Sequence, residues 1–130
     1  MNRAKQYDDI YETMNTTALH SVVPFLRCVK GPSPCAEIRL PDTGLLIGRD
    51  PVSCALFLAN DLDVSRYHCR VSYQKRTGFF IVTDLNSTNG VYTEKGQRLP
   101  AGGKIALIDG QCFSLCQGIY VFQTFLRLSY

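Results

Sequence analysis

What the chain lacks narrows its class first. No apolar stretch approaches the roughly 20 residues that a membrane-spanning helix needs, so no membrane partner is expected. The opening segment, MNRAKQYDDIYETMNTT, has no apolar centre to serve as a secretory signal, and a cytoplasmic setting is expected. Blocks of like charge are missing too. The net charge of +3 comes from scattered Lys and Arg, which gives no reason to expect a nucleic-acid partner. There is no CxxC pair and no His pair to complete a zinc site, so neither a metal nor a cofactor is expected. A Gly-rich Walker loop is absent. Ser65, His68 and Asp84 can be written down as a catalytic triad, but Ser65 has no nucleophile-elbow context, and no enzymatic activity is expected.

What is present fits one compact domain of 130 residues with room for a tail. Six cysteines, Cys28, Cys35, Cys54, Cys69, Cys112 and Cys116, occur without a secretory signal, and buried free thiols are expected of them. Cys112 and Cys116 share an apolar, strand-like run whose even spacing predicts both side chains on one face. Residues 1–22 are polar and form an expected N-terminal tail, with a short helix conceivable over Asp8–Met14. Residues 23–130 read as the folded domain.

From Val23 onward, short apolar or alternating runs are separated by turn residues. The runs are Phe25–Val29, Ala36–Leu40, Leu45–Ile47, Ala55–Leu58, Cys69–Tyr73, Phe79–Thr83, Val91–Thr93, Lys104–Leu107, Gln111–Leu115 and Ile119–Leu128. The spacing predicts an all-β sandwich or barrel. In Cys69–Tyr73, alternation turns Cys69, Val71 and Tyr73 inward and Arg70 and Ser72 outward. Phe79–Thr83 is apolar on both faces and is expected to be covered on both. Asp109-Gly110, between two apolar runs, predicts a tight hairpin.

Three segments at strand ends or in loops carry donors suited to an oxyanion: Ile47-Gly48-Arg49, Ser65-Arg66-Tyr67-His68, and Asp84 to Gly90. The planar guanidinium of Arg49 matches phosphate oxygens. The Ser65 hydroxyl supplies one more donor, and the Asn89 amide can hold a peptide backbone. Gly48 and Gly90 permit close approach of backbone. Each segment also has a plainer reading, with Arg49 in a surface ion pair and Asn89-Gly90 as a hairpin corner.

The order and spacing of Gly48-Arg49, Ser65-Arg66-Tyr67-His68 and Ser87-Thr88-Asn89-Gly90 resemble the forkhead-associated (FHA) domain family, over roughly Phe25–Leu128. Leu99, Gly103-Lys104-Ile105 and Asp109-Gly110-Gln111-Cys112-Phe113 extend the likeness; Lys104 departs from it, where the family often has Asp. The resemblance implies a twisted two-sheet sandwich that binds phosphothreonine-containing protein segments through loops at one end. By matching position it implies phosphate contact by Arg49 and Ser65, with Arg66 at the rim. It implies that Thr88 and Asn89 fix the ligand backbone, and that Gly48, His68 and Gly90 support the loops. A signalling adaptor or regulator is the expected function, with a Ser/Thr kinase or its substrate as the expected partner. A phosphate-independent interaction domain of the same fold is the alternative. Some small bacterial members of the family carry a tail threonine that a Ser/Thr kinase modifies, and Thr16 and Thr17, with Thr13 nearby, resemble such sites. Docking of the tail in cis requires a first strand that begins near the binding loops; otherwise it occurs in trans.

Overall fold

The computed structural model describes residues 21–31, 34–58 and 61–129. Among the described residues, ten strands make two five-stranded sheets. The strands are β1 (Ser21–Lys30), β2 (Glu37–Arg39), β3 (Leu45–Gly48), β4 (Leu56–Phe57), β5 (Cys69–Gln74), β6 (Phe79–Asp84), β7 (Val91–Thr93), β8 (Lys104–Leu107), β9 (Cys112–Leu115) and β10 (Tyr120–Ser129). One sheet runs β2-β1-β10-β9-β7 and the other β4-β3-β5-β6-β8. All pairings are antiparallel except the two-residue parallel match of β3 with β4. The predicted all-β sandwich is therefore the fold, and each predicted run overlaps a strand. β1 takes in Ser21 and Val22, assigned above to the tail. The rest of the tail, including the Asp8–Met14 helix, lies outside the described residues.

Alternation builds the core between the sheets. Leu26 and Phe122 from one sheet meet Ile47, Val71, Phe80 and Val82 from the other, all essentially without exposure. Phe113 packs on Phe122 with ring centroids 5.6 Å apart. Burying each such side chain stabilises the fold by about 1.5–3 kcal/mol. The predicted inward face of β5 holds for Cys69 and Val71, with Tyr73 half-buried against Phe80.

Three expectations need correction. β6 is sealed on one side only: Phe80 and Val82 are buried, but Phe79 is exposed and Ile81 and Thr83 are half-buried, because nothing packs over the outer face of that sheet among the described residues. The Asp109-Gly110 turn forms, with the Gln111 N–H donating to the Ile108 carbonyl at 3.1 Å and Gly110 at φ 93°. It is not a hairpin, because β8 pairs with β6 in one sheet while β9 pairs with β10 and β7 in the other. The turn carries the chain across the sandwich and is held on β10 by bonds from Thr124 and Leu126. Finally, Cys112 and Cys116 do not share a face. β9 ends at Leu115, and Cys116 turns inward at φ 55° while Cys112 stays half-exposed on the outer side. Cys28, Cys54, Cys69 and Cys116 are buried as expected, whereas Cys35 is exposed at φ 70° in the turn after β1.

Candidate functional site

The three segments singled out in the sequence converge at one end of the sandwich. Arg49 follows β3, Ser65 lies in the β4–β5 loop, and Thr88 and Asn89 lie where the chain crosses from β6 to β7. β3 lies against the 65–66 segment. The Arg49 N–H donates to the Ser65 and Arg66 carbonyls at 3.1 and 3.0 Å, and the Asp50 N–H also donates to Arg66 at 3.2 Å. Gly48 is needed for this approach, since a Cβ there would stand 2.2 Å from the Arg66 carbonyl oxygen.

The side chain of Arg49 is aimed by one bond, Nε donating to the Val64 carbonyl at 2.9 Å. Both Nη groups are left without a partner among the described residues. Ser65 is polarised in the complementary sense. Its Oγ accepts the Thr88 N–H at 3.0 Å, so its own proton is free to donate outward. Arg66 is exposed and its side chain makes no hydrogen bond or close ion pair among the described residues, although, together with the Ser53 N–H bond, its charge helps to hold the Asp50 carboxyl below its usual value. Its carbonyl also accepts the Cys54 thiol at 3.2 Å. The Thr88 side chain is exposed. Asn89 commits one amide donor to the Asp63 carbonyl at 2.8 Å, leaving its Oδ1 and second N–H available.

His68 sits fully buried beneath these loops and ties all three together. The Ser65 N–H donates to its Nδ1 at 3.1 Å, so Nδ1 is unprotonated and Nε2–H donates to the Gly90 carbonyl at 2.8 Å. Its backbone bonds Ile47 and Leu85. The ring is thus a neutral brace. Burial holds its pKa below the ordinary value, and Arg98 adds to that, against the opposing pull of the Gly90 bond and Asp84. The triad written down from the sequence does not assemble. His68 bonds the backbone of Ser65, not its hydroxyl, and Asp84 holds Ser87 instead.

Several residues support the site in roles that the sequence did not assign to them. Asp84 is buried and accepts from the Ser87 hydroxyl and N–H and from the Gly102 N–H, while Ser87 accepts the Gly90 N–H at 3.1 Å. The spacing Asp84-x-x-Ser87 before a glycine is itself a local turn signature that could have been read. Arg98 donates to the Thr88 carbonyl at 2.9 Å and lies across Gly90, where a Cβ would come within 2.5 Å of its Nε. Gly90 also adopts φ 86°. Beneath the β4–β5 loop the Cys116 thiol donates to the Asp63 carbonyl, and burial with nearby Asp61 and Asp63 pushes its pKa up to about 11. That thiol is an un-ionised packing group. Tyr120 of β10 hydrogen-bonds Asp61, which holds the Asp61 carboxyl below its usual value. Among the described residues, no three His, Cys, Asp or Glu side chains are grouped to hold a metal ion.

The profile of the FHA domain family matches residues 45–116, the stretch that contains every loop just described. The chain belongs to the FHA domain family. Its fold agrees. The FHA domain of the CT664 protein from Chlamydia trachomatis superposes with a TM-score of 0.66 at 24% identity, covering 83% of this chain and 98% of that one. The N-terminal FHA domain of Rad53p from S. cerevisiae, solved with a phosphothreonine peptide, gives 0.65 at 20% identity over 81% and 94% of the two chains. The FhaA FHA domain, complexed with the intracellular domain of Rv3910, gives 0.61 at 25% identity over 80% and 99%. No curated protein matches the chain.

Proposed function

We propose that this FHA domain is a phosphothreonine-dependent protein-binding module, acting as an adaptor or regulator in signalling. The observation that carries the proposal is the pairing of Arg49 and Ser65. An anchored guanidinium has both Nη groups uncommitted, beside a hydroxyl whose oxygen is already occupied and whose proton is free. Such an array suits a tetrahedral dianion and gives a neutral side chain little to bind. Arg66 adds charge at the rim. Thr88 and the uncommitted half of the Asn89 amide hold the backbone of the bound segment. Gly48, His68 and Gly90 keep the three loops in register. Two of the similar folds were solved with a phosphothreonine peptide or a protein domain bound, which supports a protein ligand here.

The partner in this reading is a phosphothreonine-containing protein, such as a Ser/Thr kinase or its substrate. The domain's own tail, phosphorylated at Thr13, Thr16 or Thr17, is a second source of the same ligand and a means of control. The test is titration with matched phosphorylated and unphosphorylated peptide libraries. Selective capture of phosphothreonine members is expected. Equal affinity for both members of each pair would replace the proposal with a phosphate-independent interaction domain.

A further inference from the structure

We infer, resting on that reading of the site, that the domain grips its phosphoprotein at a second point, a cleft on the outer face of β7, β9 and β10 that takes a Lys or Arg side chain of the same bound segment. The cleft has a volume of about 420 Å3, ample for one long side chain. Strand pairing builds it. Ser114 of β9 stands opposite Tyr92 of β7 on one side and Val121 of β10 on the other, so the three side chains form one row across the sheet. Val91, Phe113 and Leu115 alternate with them into the core, which leaves the row on the outer side. Cys112 continues that face two residues before Ser114. Glu94, just past the end of β7, lies beside it and bonds its thiol.

The chemistry of the lining selects a cation. Glu94 is its one charged side chain, is exposed, and pairs with no Lys or Arg among the described residues. The groups around it are neutral. Ser114 and Gln117 carry no charge, and burial together with Glu94 raises the pKa of the Cys112 thiol, which keeps it protonated. Half-buried Val121 and the edge of Tyr92, only 9% exposed, offer apolar surface to an aliphatic stem. A Lys or Arg side chain has that composition, with methylenes along its length and a charge at its head. A carboxylate or phosphate would meet Glu94 with like charge.

The cleft is continuous with the recognition loops. Tyr92 follows Gly90 by two residues, and Gln117 follows Cys116, whose N–H donates to the Gly90 carbonyl at 3.2 Å. β10 begins at the same end, where the Tyr120 hydroxyl bonds Asp61. It then runs away from the loops and meets the turn over residues 108–111 at Thr124 and Leu126. The lining thus descends from the loops to Glu94. Five residues lead from Asn89 to Glu94, about 16 Å at strand rise. An extended segment covers that span in about four to six residues. The domain presents the cations Arg49, Arg66 and Arg98 at its end and a carboxylate down its side. The matching ligand carries phosphothreonine and, about four to six residues away, a basic residue.

The experiment titrates the full-length chain with phosphothreonine peptides of otherwise neutral sequence, in which a single Arg is moved one position at a time on either side of the phosphothreonine. Each affinity is compared with that of the same peptide carrying Gln in place of Arg. A gain of about three- to tenfold is expected within a window about four to six residues from the phosphothreonine. Glu94→Gln should abolish the gain and leave the affinity of the Arg-free phosphopeptide unchanged. Glu94→Lys should turn the preference to a peptide with Glu in the same window. An Arg effect below about twofold at every position, or one that Glu94→Gln leaves intact, overturns the inference while the phosphopeptide function stands. If no phosphothreonine peptide binds at all, the proposed function is wrong and the second contact falls with it.

Discussion

Arg49→Ala separates the scaffold role of this residue from its role toward ligand. The two bonds from the Arg49 N–H to the Ser65 and Arg66 carbonyls belong to the backbone and survive the substitution. The fold loses only the Nε bond to Val64, at a half-buried position where water can replace the donor. A cost of about 1 kcal/mol is expected, lowering the melting temperature by about 4 °C for a domain of this size. The bound state loses more. Two charge-assisted bonds to phosphate at about 1.5–3 kcal/mol each amount to a fall in affinity of about two to four orders of magnitude. Calorimetric titration with a phosphorylated peptide and its unphosphorylated twin reads the difference directly. Arg49→Lys should fall between wild type and Ala, because it keeps the charge but loses the anchored fork. If the phosphopeptide weakens by less than about tenfold, or the two peptides weaken alike, the guanidinium does not meet the phosphate.

Other outcomes follow from the same geometry. Ser65→Ala removes the outward donor and the acceptor for Thr88, so phosphopeptide affinity should drop by about 10- to 150-fold with little change in denaturation midpoint, since Thr88 is exposed. Phosphothreonine should bind about fourfold more tightly than phosphoserine in the same peptide, the worth of one buried methyl at about 0.8 kcal/mol. Gly48→Ala forces the end of β3 away from Arg66 and should cost about 1–3 kcal/mol, with binding lost first; wild-type affinity in that variant would show that the close approach is dispensable. His68 gives a pH signature. The folded ring stays neutral below the ordinary pKa, while the unfolded chain takes up a proton as pH falls through about 6.5. Stability should therefore be full above about pH 6.5 and decline below it, down to the folded value. Urea melts across that range should show the decline in wild type but not in His68→Gln, and identical profiles would count against a buried neutral ring.

Strands and site loops were legible in the sequence for different reasons. Strands announced themselves by local alternation, as in Cys69-Arg70-Val71, because one face must meet the core. The site loops were legible because Gly48-Arg49 and the Ser65 and Asn89 segments keep fixed residue types where backbone must pass close or a donor must point outward. Sheet membership was not legible. A turn such as Asp109-Gly110 looks the same whether the next strand pairs alongside or crosses to the other sheet, and the choice rests on bonds to Thr124 and Leu126 far along the chain. Arg98 was invisible for a similar reason. It is an exposed arginine in a polar loop, and only its approach to Gly90 and Thr88 gives it a role. The bond between Asp61 and Tyr120 joins residues too distant in sequence to leave a local pattern.

The pairing of Ser21 with Ser129 has a practical side. The points where the domain is entered and left are neighbours on two adjacent strands, both turned away from the recognition loops. A host protein could therefore receive this domain within one of its own surface loops with little distortion, and a label or tether fixed at either point leaves the recognition face clear. The same arrangement makes the domain suitable for immobilisation, since a surface attached through these strands presents the loops outward.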